Sequence, residues 1–181
     1  ATHLGLDIEY AGFLSRCDSF GALEAGLAQT SLGARIRQDL PRRWSASGQF
    51  ESSFVSDSNR RLASGASLEW QPFAGIEFVS GLAVDYLTYT KREPLYYTPE
   101  HDVSASLFGR GGLPVSSWLS FEAEASLGPG YASELALSGF GLSYAVSGGP
   151  LIAWRGLRVA LFGSRMQSQR ASTYTSHSFG A

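Results

Sequence analysis

WLSFEAEASL, Trp118 to Leu127, puts Leu119, Phe121, Ala123, Ala125 and Leu127 on one side and Ser120, Glu122, Glu124 and Ser126 on the other. Strict alternation over such a span is the period of an extended strand. A helix would place Glu122 and Ala125 together and mix the two sets. The pattern recurs in both directions. Leu62, Ala66, Leu68 and Trp70 oppose Gly65, Ser67 and Glu69, and Phe78, Leu82, Val84 and Tyr86 oppose Glu77, Gly81 and Asp85. Leu157 and Val159 oppose Arg158, and Leu4, Leu6, Ile8 and Tyr10 oppose Asp7 and Glu9. Turn-forming residues punctuate these runs in two sets. One comprises 41–43, 71–75, 114–117 and 148–156. The other comprises 56–61, 91–99, 128–133 and about 169–172. The spacing predicts about ten strands: 3–14, 30–40, 44–56, 61–71, 75–90, 98–113, 117–128, 134–147, 155–169 and 171–181. Residues 15–29 fit a strand, a short helix or a loop.

Composition narrows the class. The 181 residues suit one domain, or one piece of a larger one. Hydrophobic residues make up 44%, aromatics 13% and charged residues only 17%, which excludes a disordered tail. The 21 glycines, with abundant Ser and Tyr, exclude a helical bundle. No run of apolar residues is long enough for a membrane-spanning helix. A net charge of −2 gives no reason to expect nucleic acid as a partner. Cys17 is the single cysteine, so an intrachain disulfide and a cysteine zinc site are both excluded.

Long alternating strands joined as up-and-down hairpins suit an all-β, antiparallel transmembrane barrel. A soluble sandwich or small ligand-binding barrel shares the same period. The aromatics favour the membrane. Trp44, Trp70, Trp118 and Trp154 all stand beside the first set of turns, and Tyr86, Tyr89, Tyr131 and Tyr174 stand near the second. Two aromatic belts are what bilayer interfaces select. The alternating polar positions, Glu51, Glu69, Glu77, Asp85, Arg110, Glu122, Glu124 and Arg158, then line a lumen. Small residues such as Ala66, Ala123, Ala125 and Gly163 on the apolar side would fill a dry core poorly, but lipid chains do not require interdigitation. Shorter connections at the Trp end place it in the periplasm. The long 91–99 connection places the Tyr end outside, where Arg60, Arg61, Lys91, Arg92 and Arg170 suit lipopolysaccharide phosphates or simply solvent.

Catalytic signals are sparse. His101 precedes Asp102, and His177 lies between Ser176 and Ser178, but strand neighbours point to opposite faces and cannot pair directly. Glu122 and Glu124 share a face at about 7 Å, a spacing near that of glycosidase acids, but nothing else in the sequence builds a sugar subsite, so they read as lumen acids paired with facing arginines. There is no phosphate-binding glycine loop, metal-ligand spacing or calcium loop. No cofactor is therefore expected, and Gly109–Gly112 reads as a bend or bulge.

The segment LYYTPEHDVSASLFGRGGLPVSSWLSFEAEASLGPGY, residues 95–131, resembles the C-terminal barrel of exopolysaccharide-export outer-membrane proteins of the cellulose and poly-N-acetylglucosamine type. Tyr96-Tyr97-Thr98-Pro99 and the Leu113–Trp118 turn carry the likeness, with LPRRWSASGQFE at 40–51 in the same style. The resemblance implies a Gram-negative outer-membrane pore passing polysaccharide. Those pores have more strands than this chain supplies and follow a helical-repeat region that it lacks. An eight-stranded barrel is already filled by its own side chains, so a wide pore would need further strands or partner subunits. The ending Ser178-Phe179-Gly180-Ala181 has no terminal aromatic, which fits an incomplete chain, a smaller barrel of another family or a shared barrel. Three other readings compete. One is a barrel enzyme using Asp57, Glu93, His101, Asp102 or His177 on lipid or peptide. Another is a plugged structural anchor, and the third is a soluble β protein.

Overall fold

The computed structural model describes residues 2–12, 24, 26–75, 77–93, 97–134, 137–154, 157–160, 162–169 and 173–180. Most of the ambiguous 15–29 stretch lies outside them, as do the side chains of Trp154, Arg158, Tyr174 and His177. The chain forms β1 (Thr2–Gly12), β2 (Ala28–Leu40), β3 (Trp44–Val55), β4 (Arg60–Trp70), β5 (Glu77–Tyr89) and β6 (His101–Pro114). Then follow β7 (Leu119–Glu134), β8 (Leu137–Trp154), β9 (Leu157–Ala160), β10 (Phe162–Gln169) and β11 (Thr173–Gly180). They make one eleven-stranded antiparallel sheet in sequence order, with β9 beside β8 off the main path. β9 and β10 continue one register along β8, from Leu157↔Trp154 to Ser168↔Ser143, so together they form the single strand expected over 155–169. No ladder joins β1 to β11 among the described residues.

Two expected turns fall elsewhere. Gly128, Pro129 and Gly130 lie inside β7, which runs on to Glu134 and pairs it with Leu137. Gly148, Gly149 and Pro150 lie inside β8, which runs on to Trp154. Glycine serves close approach here rather than a turn: a Cβ on Gly128 would stand 1.9 Å from the Ala105 carbonyl oxygen. The β6–β7 ladder keeps one register on both sides of this point, from Ser104↔Gly130 to Leu107↔Leu127, and skips the pairs between, where Pro129 has no N–H to give. The strand expected from residue 98 starts at His101, because Thr98 and Pro99 are buried in the preceding loop. At the turn 41–43, Arg42 and Arg43 both take positive φ, which brings β3 back tightly against β2.

Register sorts the side chains as the alternation predicts. The cross-strand chain Arg37↔Ser47, Ser45↔Glu69, Glu69↔Gly81, Gly81↔Phe108, Arg110↔Glu124 and Glu124↔Ser147 runs along one face. Ile36, Phe50, Leu68, Leu82, Leu107, Leu127 and Val146 stand on the other. Every large exposed hydrophobic that lies in a strand stands on that second face; Phe140 there is 82% exposed. Among the described residues of the strands, Val55 and Ala132 are the buried apolar side chains. A water-soluble globule of 19.4 kDa exposes about 8,500 Å²; this chain exposes 11760 Å². Among the described residues the sheet therefore has no ordinary hydrophobic core, and its apolar face is exposed.

Candidate functional site

The polar face gathers its charges toward the end of the sheet formed by the 41–43, 71–76 and 115–118 turns. Glu69 on β4 is the hub. Its side chain is only 9% exposed, and its two oxygens meet Arg37 Nη1 at 3.2 Å and Arg110 Nη2 at 2.8 Å. Arg37 belongs to β2 and Arg110 to β6, so each reaches across an intervening strand. Strands two apart lie about 10 Å from each other, a gap that a long arginine and a glutamate reaching toward one another span. Arg37 Nη2 also donates to Ser45 Oγ at 2.9 Å, and Ser45 donates to Glu69 at 3.5 Å. Arg37 lies 3.7 Å from Asp39, which His3 also approaches at 3.7 Å.

Beside this hub is a hollow of about 440 Å³ lined by Glu77, Arg110, Glu122, Glu124, Ser147 and glycines of β6 and β8. Its shape follows from the missing side chains: the Glu77 carboxylate lies where a Cβ on Gly112 would stand, 2.9 Å away. Arg110 is opposite Glu124 in register yet gives its guanidinium to Glu69. Among the described residues Glu77, Glu122 and Glu124 form no ion pair. Asp85 lies against Gly65, in the middle of the face.

At the other end, Arg61 Nη1 meets Glu51 at 2.6 Å. Ser53 donates to Glu51 at 2.9 Å, Ser31 and Ser53 share a hydrogen bond of 3.0 Å, and Gln29 donates to Ser31 at 2.9 Å. Ser53 is 0% exposed. Nearby, Asn59 joins two connections. Its Nδ2 donates to the Lys91 carbonyl at 2.9 Å, and its Oδ1 accepts from the backbone N–H of Lys91 and Arg60 and from the Thr90 hydroxyl. Thr98 closes the 91–100 loop by bonding both backbone groups of Glu93. Arg92 pairs with Glu100.

The aromatics sort by end and face. Trp44 and Trp70 are cross-strand partners, stacked with centroids 5.9 Å apart on the apolar face, and Trp118 is exposed in the adjoining turn. Tyr131 stands at the opposite end of the same face, 4.9 Å from Phe140, as does Tyr86 beside His101. Tyr89 departs from this group: it is opposite Arg61 in register and so belongs to the polar face. Trp154 and Arg158 lie on β8 and β9, and Tyr174 on β11, with side chains outside the described residues.

Among the described residues, the candidate catalytic side chains are not brought together. His101 Nδ1 meets the Tyr86 hydroxyl at 3.0 Å, whereas Asp102 accepts from Tyr97 at 2.9 Å on the other side of the strand. Asp57 accepts from the Asn59 backbone N–H, and Glu93 serves through its backbone. Among the described residues no His, Cys, Asp and Glu group is arranged to hold a metal ion. The sequence reading missed the roles of Asn59 and Ser53. An Asp-Ser-Asn turn signals a side-chain-to-backbone bond at most, and a serine on an alternating face gives no sign of its burial.

No family model matches the sequence, and no curated protein matches it. Among solved structures, the fold is similar to a bacterial polysaccharide outer membrane secretin, with a TM-score of 0.68 at 18% identity. The match covers 98% of this chain and 61% of that chain, so this chain spans less than two thirds of that protein's length. The likeness read from residues 95–131 is thus met at the level of the fold.

Proposed function

We propose that the protein is a β-barrel, or the larger part of one, in a bacterial outer membrane, and that it exports polar cargo of the polysaccharide class. One observation carries this reading: the exposed large hydrophobics of the strands share one face, and the strand carboxylates with most of the arginines share the other, Arg60 and Arg165 standing on the apolar face instead. Water would select the reverse exposure, whereas lipid selects this one. The aromatic spacing agrees. From Trp118 to Tyr131 is about 43 Å along a strand, or about 30 Å of bilayer at a tilt near 45°. The polysaccharide class is drawn from the fold likeness and from the polar face, whose carboxylates and serines suit hydroxyl-rich cargo. No bond is made or broken in this function, and the protein is not read as an enzyme. Arg60, on the apolar side beside Phe54, supplies a contact for lipopolysaccharide phosphate.

Migration on a detergent gel tests the reading. The protein, purified in detergent, runs faster unboiled than boiled if a closed barrel resists SDS. A shift at monomer mass means that this chain closes alone. A heat-labile species of high mass means that several copies complete the wall. Solubility without detergent and no shift would remove the membrane reading.

A further inference from the structure

The polar face changes character along the strands. At the end carrying Trp44, Trp70 and Trp118, the side chains of Glu77, Arg110, Glu122 and Glu124 are exposed around the hollow and Arg35 and Arg37 are exposed on β2, while Ser45 and Glu69 are covered by the arginine cluster. At the opposite end, the same face carries buried residues on strands far apart in the sheet, with Arg61, Tyr89 and Asp102 between them half-buried. Gln29 and Ser31 of β2, Ser53 and Val55 of β3, and Gly128, Gly130 and Ala132 of β7 are all shielded. The residues concerned are small or uncharged, and their polar atoms are spent on one another in the Gln29–Ser31–Ser53–Glu51 chain of hydrogen bonds. Here the buried band lies at the level where the 56–59 turn is tied to the 91–100 loop through Asn59, itself 1% exposed.

We propose that the polar interior is a vestibule open only at the tryptophan end and sealed at the tyrosine end by this dry band. Cargo enters from the tryptophan side. It meets the charged hollow first and passes only when the band opens. The inference rests on the membrane reading above and adds a resting state and a direction to it: the protein is not a permanently open conduit.

Thiol accessibility separates the two. In a Cys17→Ser background, single cysteines replace Glu77, Glu122, Ser31, Ser53 and Leu107 in full-length protein reconstituted into phosphatidylcholine vesicles. A small sulfonated thiol reagent is present on both sides of the membrane. E77C and E122C are expected to react at least about tenfold faster than S31C and S53C, since a buried thiol reacts only through local opening. Serine to cysteine is close to isosteric, and the second member of each pair guards against one variant misfolding. L107C, on the lipid face, should resist the charged reagent and accept a lipophilic maleimide. Equal rates at all four polar-face positions, with L107C still protected, would overturn the sealed band and leave the membrane reading standing. Rapid reaction of L107C with the charged reagent would remove the membrane reading and the vestibule with it.

Discussion

Glu69 is a carboxylate that the alternation marks as polar-facing and that the tertiary structure turns into a clasp. Replacing it with Gln keeps the shape but leaves Arg37 and Arg110 facing a neutral amide. Glu69→Gln should cost about 1–3 kcal/mol, the usual loss when a nearly buried charged partner is removed. Urea unfolding in detergent, with Arg37→Gln alone and in combination, measures it. Additive effects of the pair would show that the contact contributes nothing to stability. Asn59 holds the turn and the loop with a side chain that donates to one backbone carbonyl and accepts from two backbone N–H groups. Asn59→Ala should lower stability by about 2 kcal/mol and expose the 91–100 loop to proteolysis. A cleavage rate equal to wild type would show that the loop is held by other contacts.

The elements form because alternation fixes which residues share a face. Where they turn depends on something else. Gly128 and Gly148 read as turn residues, yet both occupy strand interiors where the neighbouring backbone comes too close for a Cβ. Gly128→Ala should therefore cost about 1–3 kcal/mol or more through forced backbone displacement. Gly5→Ala, with nothing within 4 Å of the added carbon, should change stability little. Comparing the folded fractions of the two variants on unboiled gels distinguishes close approach from a general cost of replacing strand glycines. The opposite case is the turn at 41–43. There Pro41 marks the turn correctly, and Arg42 and Arg43 take the left-handed backbone that glycine or asparagine would take more readily.

For the molecule as a whole, the solvent on the apolar face decides its nature. Leu82, in the middle of β5, is 58% exposed. In water, arginine at such a position changes stability by no more than about 0.5 kcal/mol. Near a bilayer midplane it costs about 2–4 kcal/mol. Leu82→Arg should therefore impair folding into vesicles, whereas Gln49→Arg on the polar face should not; equilibrium unfolding from vesicles reads both. Equal tolerance of the two would place water on both sides of the sheet. β1 and β11, which pair on one side only among the described residues, belong to the same scale. Unpaired backbone groups in lipid cost several kcal/mol each, so a membrane position requires that both edges be paired.

The all-β antiparallel class, the sequence-neighbour order of the strands and the division of side chains into two faces were all legible in residues such as Leu119–Leu127. A two-residue period survives whatever surrounds the strand, so the sequence by itself determined them. It also placed the tryptophans at one end, because they border turns that Pro and Gly mark. It did not determine which acid would be paired. Glu69 and Glu124 look alike along the chain, but the folded sheet lets Arg37 and Arg110 reach Glu69 across intervening strands and leaves Glu124 in the hollow. Nor did it determine that Ser31 and Ser53 would be dry, or that Gly128 and Gly148 would stay within strands. Those outcomes depend on the distance between segments far apart in the chain, a quantity that no local pattern encodes.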